Sequence, residues 1–208
     1  MAEFYFERMN EKENKRVFDV VLTIIILVLL FPLVVFIVIL LLVFTKRPLF
    51  FKQERVGRNG KTFLIYKFRS MKIDSEKDGN PKLAQCNDIR ETIIGRFMRR
   101  HHLDEIPQFW NVLKGDMSIV GPRSERQFYI NQILKFNSRY KELYQVRPGL
   151  TSYATLHNGY TDTLEKMLTR LEMDLDYLEQ QSFTYDLRII VDTVVRMIIG
   201  EKKKVIVI

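Results

Sequence analysis

Asp104 and Glu105 set two carboxylates side by side, just before Pro107 and shortly before an arginine-bearing turn, Gly121-Pro122-Arg123. Such a set suits phosphate. Transfer of a phosphoryl-type group needs an in-line nucleophile and positive charge over the non-bridging oxygens. It also usually needs Mg²⁺, which takes oxygen ligands and keeps several waters. An aspartate is an established type of covalent nucleophile, and an arginine in a rigid turn clamps phosphate oxygens bidentately. Pro107 fits only the first turn of a helix, and Gly115 suits the left-handed residue just past its end, so the sequence predicts a helix over 105–114. Asp104 then falls near the N-cap, where unpaired N–H groups and the positive end of the macrodipole stabilise a carboxylate or receive a phosphate. Glu105 points about 100° away from Asp104 on an ideal helix, which suits metal holding better than a second attack. The same residues also fit a purely structural role, with Asp104 as a helix cap and Glu105 as a solvated first-turn acid. Taken alone, the pair leaves both readings open.

Other chemistries find little support. His101 and His102 are adjacent and lack the i, i+4 spacing of a helical metal pair. The chain has no Gly-x-x-x-x-Gly-Lys-Ser/Thr or Gly-x-Gly-x-x-Gly motif and no serine in a Gly-x-Ser-x-Gly elbow. Cys86 is the only cysteine, which excludes an internal disulfide framework and a cysteine-rich zinc site. The net charge of +8 and pI near 9.5 imply an anionic partner, and charge alone does not choose among nucleic acid, an acidic membrane surface and phosphorylated small molecules.

The elements that must position these residues begin with an apolar run. With 208 residues, the chain supports one ordinary domain plus an appendage. Val20 to Phe44 carries no charge and only Thr23 as a polar side chain, long enough as a straight helix to cross a bilayer core of about 30 Å. Pro32 splits it into halves of a length that suits a re-entrant segment, while a kinked spanning helix is equally compatible with the residues. Basic residues flank both ends, Arg8, Lys12, Lys15 and Arg16 before and Lys46, Arg47, Lys52, Arg55 and Arg58 after, which favours keeping both on the cytoplasmic side.

Beyond Thr45, Asn59-Gly60 between two apolar and aromatic runs predicts a hairpin with strands 49–55 and 62–68 and a two-residue turn. Asp74 to Asn87 reads as a polar surface loop. Helices are predicted over 88–98, 127–144, 164–178 and 187–199, the second with a stripe of Tyr129, Ile133, Phe136 and Tyr140. Lys202 to Lys204 would rest on an anionic leaflet.

Five ordered motifs then stand out: Tyr66-Lys67-Phe68-Arg69-Ser70-Met71, Leu103-Asp104-Glu105-Ile106-Pro107-Gln108, Asn111-Val112-Leu113-Lys114-Gly115-Asp116-Met117-Ser118, Val120-Gly121-Pro122-Arg123 and Val146-Arg147-Pro148-Gly149-Leu150-Thr151. In this order they closely resemble the bacterial sugar transferases, the monotopic phosphoglycosyl transferases. The likeness runs from Lys15-Arg16-Val17-Phe18-Asp19 to Asp186-Leu187-Arg188-Ile189-Ile190. It implies transfer of a sugar 1-phosphate from a nucleotide diphosphate sugar, usually UDP-linked, to a polyprenyl phosphate such as undecaprenyl phosphate, with release of the nucleoside monophosphate. That activity would start a polysaccharide or glycoconjugate. By the same resemblance Asp104 is the nucleophile that forms a phosphosugar intermediate, and Glu105 shares Mg²⁺ with it. The resemblance likewise implies that Lys67, Arg99, Arg123 and Arg147 bind phosphate or nucleotide.

The resemblance also implies a re-entrant membrane helix broken at Pro32 and a catalytic domain on the cytoplasmic face of the inner membrane. The expected fold is mainly α with a small β-hairpin (α+β). Residues 1–46 form the re-entrant helix-break-helix, and 47–208 form a compact cytoplasmic domain with amphipathic interfacial helices. The chain departs from the family in having Ser124 after Arg123, Phe31 before Pro32 and Ser152 after Thr151. It resembles the minimal catalytic form. No nucleic-acid partner is implied. The rival reading is a membrane-tethered basic adaptor that binds anions without catalysis.

Overall fold

The computed structural model describes residues 2–45, 47–73, 88–159 and 161–199, with side chains from residue 13 onward in the first helix and up to 197 in the last. The polar loop expected over 74–87 and the leaflet contact expected at Lys202 to Lys204 lie outside the described residues.

Helix α1, Ala2–Phe44, is the longest element. Its backbone stays helical through Pro32, where the sequence predicts a helix-break-helix. A proline removes one i→i−4 bond, a defect that bends a helix without requiring a non-helical interval. One stripe of α1 packs inward throughout, with Asp19, Thr23, Ile37 and Leu41 buried. The opposite face exposes Val28, Leu29, Phe31, Phe36, Val43 and Phe44. The first part of the stripe is held by polar contacts. Lys15 pairs with Asp186, and Arg16 donates to the carbonyls of Val112 (2.6 Å) and Leu113 (2.9 Å). Asp19 accepts from the Ser118 hydroxyl (2.7 Å) and the Ile119 N–H (3.2 Å). The last part is apolar, since Ile37 and Leu41 share a core cluster with Phe68, Met98, Ile106 and Phe109.

The expected hairpin is present as antiparallel strands β1 (Phe50–Val56) and β2 (Thr62–Phe68). Its connection is longer than predicted. Val56 pairs with Thr62, and the Gly57 N–H bonds the Lys61 carbonyl at 2.8 Å, leaving Arg58–Gly60 as a single 3₁₀ turn. Asn59 and Gly60 do take positive φ, 59° and 70°, the conformation that made the pair a turn signal.

Helix α2 covers Ile93–Arg100 rather than starting at Asp88. Thr92 caps it by accepting from the Gly95 N–H at 2.9 Å, and Asp88 is taken up instead by ion pairing with Arg90. A second correction concerns the helix predicted over 105–114. Pro107 has no N–H to donate to Leu103, so the chain contracts to a 3₁₀ turn, Leu103–Glu105, and the α-helix proper, α3, begins at Gln108 and ends at Lys114. Gly115 closes it in the left-handed conformation, φ 89°, as its position predicts.

A two-stranded parallel pair, β3 (Ser118–Val120) with β4 (Gly149–Thr151), was not foreseen. Between these strands the chain forms α4 (Gln127–Ile133) and a 3₁₀ segment, Ser138–Gln145, where a single helix to residue 144 is predicted. Of the expected stripe, Tyr129, Ile133 and Tyr140 are core residues, and Phe136 is exposed. Helix α5 is Tyr153–Asn158, α6 is Leu164–Gln180 and α7 is Phe183–Ile199. Helix α6 buries Met167, Leu171 and Leu175 against the α4 cluster as its heptad-like spacing requires. The architecture is thus mainly helical with two small sheets, and the apolar N-terminal helix packs into the core it precedes.

Helix α2 lies unusually close to the end of β2. A Cβ built on Gly95 falls 1.8 Å from the Ser70 carbonyl oxygen, inside any permissible contact. Gly95→Ala is therefore expected to destabilise the fold by about 3 kcal/mol or to displace α2, an overpacking cost read as a lowered thermal midpoint in detergent micelles.

Candidate active site

Asp104 sits in the 3₁₀ turn between α2 and α3, entered through His102, whose backbone is left-handed at φ 54°. That conformation is uncommon for a non-glycine residue and turns the chain abruptly out of α2. Asp104 is 3% exposed, and among the described residues no group donates a hydrogen bond to its carboxylate. Burial pushes its pKa up, against the pull of Lys67, Arg99 and His102. Glu105 is in the opposite state. Burial would raise it, but Lys67 and Arg123 outweigh that and hold it well below the usual carboxylate range. Lys67 Nζ lies 2.5 Å from Glu105 Oε1, and Arg123 lies 3.9 Å from the same oxygen. The neighbouring acids therefore differ in character, Glu105 ionised and engaged, Asp104 buried and unengaged.

Each cation is held in place by a particular backbone feature. Lys67 is on β2, which is fastened to α3 by the fully buried Asn111. Its side chain accepts from the Tyr66 N–H (3.2 Å) and donates to the Leu64 carbonyl (2.7 Å). Arg99, in the last turn of α2, pairs with buried Glu91 at 2.8 Å. Arg123 follows the Gly121-Pro122 turn, which lies directly on the Pro148-Gly149 backbone. The Gly149 N–H bonds the Pro122 carbonyl at 2.8 Å, and a Cβ on Gly149 would fall 2.2 Å from the Gly121 nitrogen. Asp174 of α6 accepts from the Arg123 backbone N–H beneath this turn.

These groups line a cleft of about 670 Å³ that also takes in Arg55, Glu125, Arg126 and Arg170. Among the described residues its walls carry ten lysines and arginines against three carboxylates, a charge balance that suits a multiply charged anion. Sequence reasoning missed the second group of arginines. Arg55 pairs with Glu125 at 3.2 Å, and Arg170 pairs with the same residue at 2.6 Å. A signal was present, because Arg170 falls on the core-facing stripe of α6 between Met167 and Leu171, where a solvated charge does not belong.

Of the residues singled out in the sequence, Lys67, Arg99, Asp104, Glu105 and Arg123 line one cleft. Arg147 does not. Its Nε donates to the Gly115 carbonyl at 2.9 Å, and its charged neighbours are Arg16, Arg58 and Asp19, on the side of the protein where α1 begins. Pro32 lies outside the cleft and is exposed on α1.

As for Mg²⁺, no cluster of three or more His, Cys, Asp or Glu side chains is present among the described residues. The adjacent carboxylates of Asp104 and Glu105 nevertheless fit an ion that takes one or two protein acids and completes its shell with water and substrate phosphate oxygens.

A cationic cleft with buried adjacent acids, beside a helix long and apolar enough to cross a membrane, defines a class of protein suited to an anionic ligand at an apolar boundary. The comparisons narrow this class. A family model described as bacterial sugar transferase matches residues 10–200, and the chain belongs to that family. It is 41% identical over 182 residues to the UDP-glucose:undecaprenyl-phosphate glucose-1-phosphate transferase of Escherichia coli (strain K12), covering 86% of this chain and 39% of that one. It is 36% identical over 186 residues to the UDP-N-acetylgalactosamine-undecaprenyl-phosphate N-acetylgalactosaminephosphotransferase of Aeromonas hydrophila, covering 89% and 44%. An uncharacterized sugar transferase of Bacillus subtilis (strain 168) is 34% identical over 187 residues, covering 90% of this chain and 88% of its own. The chain thus spans about two-fifths of the length of the first two relatives and most of the third.

Asp174 lends itself to a pH test. It is 2% exposed, and burial beside Glu125 pushes its pKa up to about 7 despite Arg170 and Arg123. A raised acid favours the protonated folded state, so its contribution is fully present below the unfolded value near pH 4 and is lost as pH rises through about 7. Asp174→Asn, which keeps the acceptor for Arg123, is expected to flatten the decline in folding stability across that window, measured by denaturant unfolding at a series of pH values.

Proposed function

We propose that this protein transfers a sugar 1-phosphate from a nucleotide diphosphate sugar, UDP-linked by analogy with the named relatives, to a polyprenyl phosphate through Asp104. The observation that carries the reading is Asp104 itself, a buried carboxylate with no described hydrogen-bond donor, set among cations that match a diphosphate. A hydrogen-bonded carboxylate would have its lone pairs committed, whereas this one is available to attack.

In the first step an Asp104 oxygen attacks the phosphorus bearing the sugar. The bond from that phosphorus to the bridging oxygen breaks, and the nucleoside monophosphate leaves with the electron pair. In the second step a polyprenyl phosphate oxygen attacks the same phosphorus. The Asp104 oxygen–phosphorus bond then breaks, giving polyprenyl diphosphate sugar and the free carboxylate. Lys67, Arg99 and Arg123 offset the charge on the non-bridging oxygens. Lys67 also keeps Glu105 ionised and oriented, and Glu105 with Asp104 would hold Mg²⁺. When bound, the ion would neutralise phosphate charge and act as a Lewis acid.

The membrane segment fits the same scheme. Only 11% of the most apolar window of α1 is buried within the protein, and the helix is long and apolar enough to cross a bilayer. Yet Lys15, Arg16 and Asp19 at one part, and Ile37 and Leu41 at another, pack on the same domain. This supports a re-entrant α1 bent at Pro32, with the cleft on the cytoplasmic face of the inner membrane and α7 resting at the interface. In right-side-out and inverted vesicles of a Cys86→Ser background, cysteines placed at Glu13 and Arg47 are expected to react with an impermeant maleimide from the same side. Labelling from opposite sides would establish a spanning helix instead.

Asp104→Asn is expected to lower nucleoside monophosphate release by roughly three orders of magnitude or more, in the range seen when a covalent nucleophile is removed. Full turnover in that variant would sink the nucleophile assignment. Arg123→Ala should cost about 10–100-fold as a lost charge-assisted phosphate contact, and Arg147→Ala less, because it stands off the cleft.

A further inference from the structure

The cleft has two chemically different ends, and strand β1 measures the distance between them. Phe51, Gln53 and Arg55 alternate onto its cleft-facing side, so Phe51 and Arg55 are about 13 Å apart along the strand. At the Phe51 end Pro48, Met71 and Ile73 line the cleft beside Arg69, Lys72 and Arg90, so apolar surface there is edged by positive charge. Phe68 shares its core cluster with Ile37 and Leu41 of α1, and Arg69 holds the incoming chain by bonding the carbonyls of Leu49 and Pro48, each at 2.7 Å. Leu49, next to Pro48, packs on the same cluster, so this end of the cleft adjoins the apolar N-terminal helix through the chain that leaves it. Lys67, directly across the ladder from Phe51, brings positive charge to its inner margin. At the Arg55 end, Arg126, Arg170, Thr155 and Thr161 replace the apolar wall. Glu125 holds Arg55 and Arg170 there, and Arg170 also donates to the Thr161 hydroxyl at 3.0 Å.

We infer that the two ends divide the substrates. The Pro48, Phe51, Met71 and Ile73 wall takes the phosphate-proximal isoprene units of the lipid acceptor, and the Arg55, Arg126 and Arg170 end takes the nucleotide of the donor. The inference rests on the proposed transfer through Asp104, which lies between them. In-line displacement at each step places the departing nucleotide phosphate and then the incoming lipid phosphate at the same position, opposite the Asp104 oxygen. Only their tails have to diverge. An isoprenoid exposed to water costs about 0.8 kcal/mol per CH₂, so it must arrive along an unbroken apolar path from the bilayer. A nucleoside diphosphate comes from water carrying charge that guanidinium groups match bidentately.

The test uses the full chain in nanodiscs, with UDP-sugar and undecaprenyl phosphate varied independently. Phe51→Ser is expected to raise the KM for undecaprenyl phosphate roughly tenfold, the loss of about one aromatic burial, with the KM for UDP-sugar held near wild type. Phe51→Leu should restore the acceptor KM, and Ile73→Ser, at a half-exposed position less prone to unfold the protein, should repeat the effect. Arg126→Gln should do the reverse, raising the donor KM alone. A Phe51→Ser defect confined to the donor, or equal shifts in both constants for both variants, would overturn the division. Failure of the underlying reading looks different. A wild-type protein that releases no nucleoside monophosphate in a burst without lipid would refute the covalent route, while the two KM values would still report on the ends of the cleft.

Discussion

Two carboxylates adjacent in sequence are packed side by side in the wall of one cationic cleft, and most of the site's architecture follows from keeping them in different states. Like charges at such separation disfavour joint ionisation, and burial disfavours it further. The Lys67–Glu105 contact at 2.5 Å resolves the conflict locally by fixing Glu105 as the ionised member. Among the described residues Asp104 is then left with no donor of its own, burial raises its pKa, and the field of Lys67, Arg99 and His102 opposes that rise. A substrate phosphate would compete for those cations, and a bound metal ion would replace part of what they supply. The site is therefore built to have its charge balance completed by a ligand.

That requirement explains why the backbone contacts around the cleft are so close. A lysine must reach Glu105 from a strand, an arginine from a helix end and another from a turn, and none of these elements is long enough to be rigid by itself. Asn111 substitutes its amide for a neighbouring strand at the edge of β2. Gly95 lets α2 sit on Ser70, and Gly121 with Gly149 lets the Arg123 turn sit on the strand that follows Arg147. Removing a methyl-sized margin at each crossing turns short elements into a fixed frame. Arg170 and Arg55 share Glu125 behind this frame, so two guanidinium groups are set against one carboxylate at that end of the cleft.

What was legible in the sequence is what local periodicity encodes. The hairpin strands and helix α6 follow from alternation and from the Met167, Leu171, Leu175 spacing, and the left-handed Gly115 follows from its place after a helix. The β3–β4 pair was not legible, since three-residue strands joined across some thirty intervening residues carry no pattern of their own. The Asp104 turn was misjudged. Pro107 was read as lying inside a helix that starts at Glu105, but the α-helix starts after it at Gln108, and Asp104 stands in a separate 3₁₀ turn rather than at the helix cap. Arg147 was grouped with the other cations through motif resemblance, and only the fold separates it from them. Arg170 was hidden because helical charges are usually solvated.

The membrane helix binds these strands of argument together. Lys15, Arg16 and Asp19 secure its early turns to the α3 end, β3 and α7, and its later turns lead through Pro48 and Leu49 directly into the cleft wall at Phe51. Polar contacts resist sliding along the helix axis in a way that apolar packing does not, because a displacement of one turn would leave buried Asp19 without its Ser118 and Ile119 donors. The depth of α1 relative to Asp104 is therefore set by the same network that orients the domain. Apolar α1 residues lie on the outward face, and the cleft end nearest them carries Pro48, Phe51, Met71 and Ile73, so under the proposed transfer a lipid-borne phosphate and a water-borne nucleotide would meet at one buried carboxylate without either leaving its own medium.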